Sequence, residues 1–242
     1  MKEKSSRKGI IVIPAYNEES NIEAVLSSLR SFAKPRNLDI LVVNDGSTDK
    51  TEKLASKYAD YVLSHPFNIG YGAAVHTGLK FALEMNYDFA ILFDADGQHD
   101  VNSIDNLLSK KDEYDIVLGS RFLSKSPYKL DLFKKLGITV MRFLLKILCG
   151  LRLTDPTTGF QLLNKKALEV LAKDPYYPHD FPDADVIYKL WKSDLSIEEV
   201  PVVMYPRKSG TSMHNLGKGF YYFTRLLLSI FAFYAERKDK EV

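Results

Sequence analysis

The sequence has a single cysteine, Cys149, among its 242 residues. An internal disulfide and a thiolate metal cluster are therefore excluded, and a reducing cytosol is the natural setting. Long apolar runs are also missing. A membrane-spanning helix needs about 20 mostly apolar residues. The nearest candidate, residues 226–235, is bracketed by Arg225 and Glu236 and is too short to cross. Residues 1–8 are polar and basic, and the apolar run behind them, residues 10–15, is too short for the hydrophobic part of a signal peptide. Neither sign of charge dominates: the formal net charge is +2, too small to argue for a nucleic-acid partner. There is no internal repeat and no low-complexity linker. What remains is a globular composition, 45% hydrophobic and 26% charged, enough to build one large domain with a sizeable core.

Apolar runs alternate with helical patterns through the first half. Residues 9–14, 38–44, 61–64, 89–93 and 115–119 read as strands. Residues 51–58, 71–85 and 102–110 read as helices, and Ser20 with Glu23 gives a capping-box signal for another helix ending near Phe32. Such alternation implies a mostly parallel sheet covered on both faces, with ligands bound outside the carboxyl ends of its strands. The second half is less regular. Residues 132–149, 183–192 and 216–236 read as helices and 197–203 as a strand, with no boundary stronger than a loop.

The polar motifs fall at the strand ends. After the fourth strand comes Asp94-Ala95-Asp96-Gly97-Gln98-His99-Asp100. Two carboxylates one residue apart at the mouth of a parallel sheet suit a hard divalent cation, Mg²⁺ or Mn²⁺, which would neutralise a diphosphate leaving group. By itself the run reads equally as a solvated acidic turn capping the next helix. It is accompanied by Pro14-Ala15-Tyr16-Asn17-Glu18-Glu19, Asn44-Asp45-Gly46-Ser47-Thr48-Asp49, Asn68-Ile69-Gly70-Tyr71-Gly72 and Gly119-Ser120-Arg121-Phe122, each following a strand. Later marks are Thr154-Asp155-Pro156-Thr157-Thr158-Gly159-Phe160, Glu199-Val200-Pro201-Val202 and Arg207-Lys208-Ser209-Gly210-Thr211-Ser212.

In their order and spacing these motifs resemble those of family-2 glycosyltransferases. The match is to the branch that includes dolichyl-phosphate mannosyltransferase and bacterial polyprenyl-phosphate glycosyltransferases, and it covers residues 9–212. The resemblance implies a single α/β domain of the GT-A fold, with a mixed, mainly parallel sheet over residues 1–215. An aromatic-rich C-terminal helix and charged tail would follow over 216–242. It implies metal-dependent, inverting transfer of a sugar from a UDP- or GDP-linked donor to a polyprenyl phosphate or other lipid-linked acceptor, in cell-envelope glycan or glycolipid synthesis. Transfer to a sugar hydroxyl of a surface polysaccharide is the alternative. A sugar nucleotidyltransferase and a degenerate, membrane-bound partner protein are more remote.

Carried over position by position, Pro14, Tyr16 and Glu18 would line the nucleotide pocket and Asp45 would contact the base. Gly70 and Gly72 would let the backbone pass close to the donor, although turn and helix-start chemistry explains each equally well. Asp96 would be the main metal ligand, with Asp94 touching the ribose or the metal and Gln98 helping to hold the ion. Arg121 would face the acceptor phosphate. Asp185 falls where relatives carry an acidic residue at a helix start, which is also an ordinary helix-dipole position. Arg207, Lys208 and Ser212 would belong to a basic loop that closes over the diphosphate, with Gly210 as its hinge. His214 belongs to the same loop and could reach the metal, but a lone surface histidine is more often simply solvated, and His65 and His99 read the same way.

On a helix over 132–149, Lys134, Lys135, Arg142 and Lys146 share an arc of roughly 120°. Phe133, Leu136, Val140, Phe143, Leu144 and Ile147 lie opposite. That pattern suits either an ordinary core helix or one lying in anionic headgroups, and the resemblance favours the second. The expected location is cytoplasmic, peripheral on the inner face of the cell membrane. Two features depart from the relatives: Lys134, Lys135 and Gly137 stand where they often carry an Arg and a Ser, and no run matches the transmembrane helices that follow the domain in several of them.

Overall fold

The computed structural model describes residues 8–124, 132–180, 182 and 184–206. The segment from Arg207 onward, including Lys208, Ser212, His214 and the helix expected over 216–236, lies outside the described residues, as does Asp183. Seven strands form one sheet: β1 (Gly9–Ala15), β2 (Leu38–Asn44), β3 (Tyr61–Ser64), β4 (Phe89–Leu92), β5 (Ile116–Ser120), β6 (Gln161–Asn164) and β7 (Ile197–Pro201). Their spatial order is β3-β2-β1-β4-β6-β5-β7. β1 is buried along its whole length and β4 likewise, which is why both read as continuous apolar runs.

Helices cover both faces. α1 (Ile22–Ala33), α2 (Thr51–Ala55) and α4 (Ile104–Ser109) cover one; α3 (Tyr71–Glu84), α5 (Leu132–Cys149), α6 (Lys165–Ala172) and α7 (Ala184–Lys192) cover the other. Alternate residues of β1 divide between the two cores, Ile10 and Val12 facing α3, and Ile11 and Ile13 facing α1.

Strand direction decides where the loops meet. β3, β2, β1 and β4 run parallel. β6 is antiparallel to both β4 and β5, so β5 runs with β4, and β7 runs with β5. The carboxyl ends of β1–β5 therefore share one edge. Because β6 is reversed, its first residue, Gln161, pairs with Leu92 and Leu118, so the loop 155–160 arrives at the same edge. Pro201 of β7 pairs with Ser120, which brings residues 202–206 there too.

Two local expectations are corrected. The capping box at Ser20 and Glu23 does not form: Asn21 is the cap residue of α1 and makes no side-chain cap bond. The carbonyl of Glu18 takes the amides of Asn21 and Ile22 instead, and Glu23 accepts from the Tyr58 hydroxyl at 2.9 Å. β6 and α6 were not foreseen. Gln161-Leu162-Leu163-Asn164 is too short to show alternation and owes its strand form to neighbours on both sides. Asn164 then caps α6 by accepting from the Ala167 amide at 3.1 Å.

Candidate active site

The end of β1 and the turn after β2 are stitched together. The Asp45 amide donates to the Ala15 carbonyl at 2.8 Å. Asn17, in the left-handed region at φ 52°, donates its amide to Ser47 Oγ at 3.0 Å and accepts from the Thr48 amide at 2.9 Å. The Glu18 amide donates to Thr51 Oγ1 at 2.8 Å, and its carboxylate accepts from Asn21 Nδ2 at 2.7 Å. Tyr16 is left exposed two residues beyond the buried Pro14.

Asp45 is only 2% exposed. One carboxylate oxygen accepts from the Ile69 amide at 3.0 Å and meets His65 Nδ1 at 2.7 Å, while the other accepts from the Gly70 amide at 2.9 Å. His65 Nε2 in turn lies 2.9 Å from Thr77 Oγ1. Asp45 thus holds the loop 65–70 against its own turn, and its expected contact with a base would share the carboxylate with these donors. His65, expected to be solvated, is part of the frame.

Gly70 and Gly72 are needed for a close approach, and the approaching group is the chain itself. A Cβ at Gly72 would lie 2.0 Å from the Pro178 carbonyl oxygen, and one at Gly70 2.6 Å from that of His179. Gly70 also has φ 126°, which side-chain-bearing residues rarely adopt. The contact seats residues 178–180, which lead into α7, beside the start of α3.

The turn after β4 carries the carboxylates. Asp94 accepts from the Tyr71 hydroxyl at 2.9 Å on one oxygen and meets His99 Nε2 at 3.0 Å on the other. Burial pushes the Asp94 carboxyl up, but the hydrogen bonds from His99 and Tyr71 and the charges of His99 and Arg121 outweigh it and hold it below the usual carboxylate range. His99 is buried against Phe93 and Phe160, with ring centroids 5.4 Å and 4.8 Å away. Sequence reasoning missed it; the signal was its place five residues after Asp94, in the turn that closes β4. Asp96 accepts from the Gln98 amide at 3.0 Å, and Gln98 Nε2 donates to the Tyr205 carbonyl at 3.0 Å. Two carboxylates and an amide are a hard-oxygen set. Each carboxylate oxygen offers two lone pairs, so the bonds to Tyr71 and His99 do not exhaust Asp94. Among the described residues no group of three or more His, Cys, Asp or Glu could cage an ion. The residues present therefore fit Mg²⁺ or Mn²⁺ held by one or two carboxylates together with a substrate diphosphate, and do not fit a closed structural site.

Arg121 sits at the end of β5, and its guanidinium is committed to Asp155. Nε donates to one carboxylate oxygen at 2.6 Å and Nη2 to the other at 2.7 Å, with a further bond from Nη2 to Thr157 Oγ1 at 3.0 Å. Asp155 is fully buried. Its amide donates to Glu199 of β7 at 2.7 Å, and Glu199 also accepts from the Thr154 amide at 2.6 Å. This network pins the loop 155–160 over the site: a Cβ at Gly159 would meet the Tyr71 hydroxyl at 2.9 Å and an Asp94 oxygen at 3.3 Å. Arg121 is thus neither a surface ion pair nor an unengaged phosphate ligand. Its first task is to hold this loop.

Comparison with known proteins agrees with this frame. Residues 10–172 match the family described as glycosyl transferase family 2. The chain belongs to that family. A UDP-N-acetylglucosamine–dolichyl-phosphate N-acetylglucosaminyltransferase of Methanococcus voltae is 32% identical over 90% of this chain and 94% of its own length. A polyprenol monophosphomannose synthase of Mycolicibacterium smegmatis is 28% identical over 86% of this chain and 81% of its own. Among solved structures, glucosyl-3-phosphoglycerate synthase of Mycobacterium tuberculosis, in complex with Mn²⁺, UDP and phosphoglyceric acid, superposes with a TM-score of 0.71 at 20% identity. That match covers 93% of this chain and 78% of the synthase. It shows the fold, which is the GT-A fold expected.

In this family 2 glycosyltransferase Asp185 is buried in the first turn of α7, directly after the loop that packs on Gly70 and Gly72, and one of its oxygens accepts from the Val186 amide at 2.9 Å. α5 divides its faces differently from the expected pattern. Ile138, Met141 and Leu145 meet the core, whereas Leu136, Phe143 and Ile147 are 62%, 61% and 62% exposed. Lys135 and Lys146 are exposed as expected. Arg142 is not a solvated member of the basic face: it is half-buried, its Nε donates to the Thr154 carbonyl at 2.6 Å, and its guanidinium lies 4.4 Å from the Phe122 ring centre. The side chain of Lys134 lies outside the described residues.

Proposed function

We propose that this family 2 glycosyltransferase moves a sugar from a UDP- or GDP-linked donor to a polyprenyl phosphate or another lipid-linked acceptor, with inversion at the anomeric carbon and with Mg²⁺ or Mn²⁺. The main support is convergence. Asp94, Asp96 and Gln98, the glycine turn after β3, the stitched ends of β1 and β2, and the Arg121 network all reach one sheet edge. Relatives matching most of the chain carry dolichyl-phosphate and polyprenol in their names.

Asp96 would hold the divalent ion with Asp94 and Gln98, and such an ion neutralises a departing diphosphate. The chain's own residues do the rest. Pro14, Tyr16 and Glu18, with the loop held by Asp45, orient the nucleotide. Tyr71 and His99 keep Asp94 ionised and aimed. A phosphate acceptor is already anionic, so its oxygen attacks the sugar carbon opposite the leaving diphosphate without a base, and the chain supplies position and charge shielding. Arg121 fixes the wall formed by residues 155–160. Arg207, Lys208 and Ser212 close over the diphosphate. Residues 1–215 act as the catalytic domain, and 216–242 as an appended helix and tail. The enzyme works as a peripheral protein at the inner face of the membrane. No described helix is long and apolar enough to cross a membrane, and α5 offers an exposed apolar stripe.

Asp185, buried at the start of α7, supports a second reading: transfer to a sugar hydroxyl, with Asp185 as the base. The first test is thermal stabilisation by UDP- and GDP-sugars with Mn²⁺, since a ligand that binds only the folded state raises its stability. Asp96→Ala should remain folded and lose the metal-dependent part of the shift. A full shift in that variant contradicts the proposed site.

A further inference from the structure

The carboxylate of Asp45, whose loop orients the nucleotide in the proposed function, is nearly full before any ligand arrives. A carboxylate has about four lone-pair positions, two on each oxygen. Oδ1 takes the Ile69 amide at 3.0 Å and His65 Nδ1 at 2.7 Å, and Oδ2 takes the Gly70 amide at 2.9 Å. An ionised carboxylate only accepts, so Nδ1 is a protonated ring nitrogen, and Nε2 of the same ring rests on Thr77 Oγ1 at 2.9 Å. These bonds fill Oδ1 and leave a single lone pair, on Oδ2.

The carboxylate is also held against rotation. Asp45 is buried, and its amide is tied to the Ala15 carbonyl at 2.8 Å. The next residue, Gly46, presses on the loop that supplies the donors: at φ 67°, a Cβ there would lie 2.4 Å from the Phe67 carbonyl carbon. A base must therefore meet the carboxylate as it stands. Uracil offers one N–H, at its imide nitrogen between two carbonyls, and needs one acceptor. Guanine offers two adjacent N–H groups, from N1 and the exocyclic amine, and needs both oxygens. On Asp45 the second of these would reach Oδ1, which has no lone pair left, and a donor buried without an acceptor is costly. Discrimination by polar groups left unpaired is stronger than discrimination by size.

We propose that the donor is a uridine diphosphate sugar, and that His65 sets this choice by acting through Asp45. The imidazole fills the lone pair on Oδ1 that guanine would need, and it keeps the carboxylate from turning to offer another. His65 is thus a specificity-determining residue that need not touch the donor itself. Uracil selection rests on the nucleotide-sugar reading above, narrows it to one base, and involves no residue of the metal turn or of α5.

The test is calorimetric titration of the full chain with UDP, GDP and CDP, each with Mn²⁺. Wild type should bind UDP roughly 10- to 100-fold more tightly than GDP, the affinity equivalent of one buried N–H left unpaired. CDP matches UDP in size but carries an acceptor nitrogen in place of the imide N–H, so it too should bind less tightly than UDP. His65→Leu and the ring-filling His65→Phe both remove the donor and free Oδ1, so in each the UDP-to-GDP affinity ratio should fall several-fold. His65→Asn, whose side-chain amide can donate from about the same place, should restore much of the ratio. If His65 only holds the loop, its loss weakens both nucleotides together; an unchanged ratio in a folded His65→Leu or His65→Phe would overturn its part in the choice. Wild type binding GDP or CDP as tightly as UDP would overturn uracil selection and leave a nucleotide-sugar enzyme standing. Binding of none of the three would remove the nucleotide-sugar reading itself, and uracil selection with it.

Discussion

Arg121→Ala removes the fork that neutralises a carboxylate with no solvent exposure. Asp155 would keep the Arg121 backbone amide at 3.1 Å and lose both guanidinium bonds, while the Glu199 carboxylate stays close by through the Asp155 amide. Removing one partner of a buried ion pair costs about 3–5 kcal/mol, because the other charge stays buried and uncompensated. With a urea slope of about 3 kcal/mol/M, the unfolding midpoint should fall by about 1–1.7 M. Arg121→Lys keeps the charge and loses the two-point geometry, so it should fall in between. Replacing the pair together, Arg121→Met with Asp155→Leu, should recover much of the loss, since matched apolar groups often substitute for a buried pair at little cost. Urea unfolding followed by tryptophan fluorescence reads all three. A midpoint for Arg121→Ala within about 0.2 M of wild type would refute the buried-clamp reasoning. The result also bears on chemistry: turnover lost in Arg121→Ala implicates the acceptor phosphate only when measured under conditions in which the loop 155–160 remains in place.

Three further outcomes follow from the geometry. Gly72→Ala gains no more than about 1 kcal/mol of helix propensity but drives a methyl into the Pro178 carbonyl, which is backbone and cannot rotate aside; overpacking of about 1–3 kcal/mol should win, lowering the thermal midpoint. Burial pushes the Asp115 carboxyl up, but bonds from Ser196 and Asn164 outweigh it and hold it below its usual value. Its stabilisation is therefore present above the unfolded pKa of about 3.9 and lost as pH falls through the lower folded value. Asp115→Asn should cost about 1–3 kcal/mol at pH 7 and flatten that part of the acid limb, as urea titrations at stepped pH will show. Asp185→Asn should cost little turnover with a short-chain polyprenyl phosphate; an inactive variant that still binds donor and metal would favour the hydroxyl acceptor.

The edge that carries the site was legible because β1, β4 and β5 are buried along their whole length, β2 nearly so, and each reads as an apolar run, so the polar residues after it had to sit at a strand end. β2, β3 and α5 have the boundaries read from sequence. What periodicity does not encode is which distant residues meet. Arg121 and Asp155 are 34 positions apart, and Asp155 and Glu199 are 44. The motifs containing all three were recognised, but the clamp they form was not. His65 and His99 were read as solvated for the same reason, since their carboxylate partners lie on other turns of the chain or across a tight one. β6 was missed because four residues show no alternation, and its reversed direction is what carries the loop 155–160 to the site. On α5 the pattern grouped Leu136, Phe143 and Ile147, which are exposed, but the core took another face, Ile138, Met141 and Leu145, with Leu144 packed against it as well.

The most direct measurement is product analysis with Mn²⁺, a matched nucleotide sugar and a short-chain polyprenyl phosphate. The expected products are a free nucleoside diphosphate and a glycosylated lipid phosphate in equal amounts. Both should be lost on adding EDTA or with Asp96→Ala, and restored to the wild type by Mg²⁺ or Mn²⁺. Release of pyrophosphate, or undiminished transfer by Asp96→Ala in the absence of metal, would contradict it.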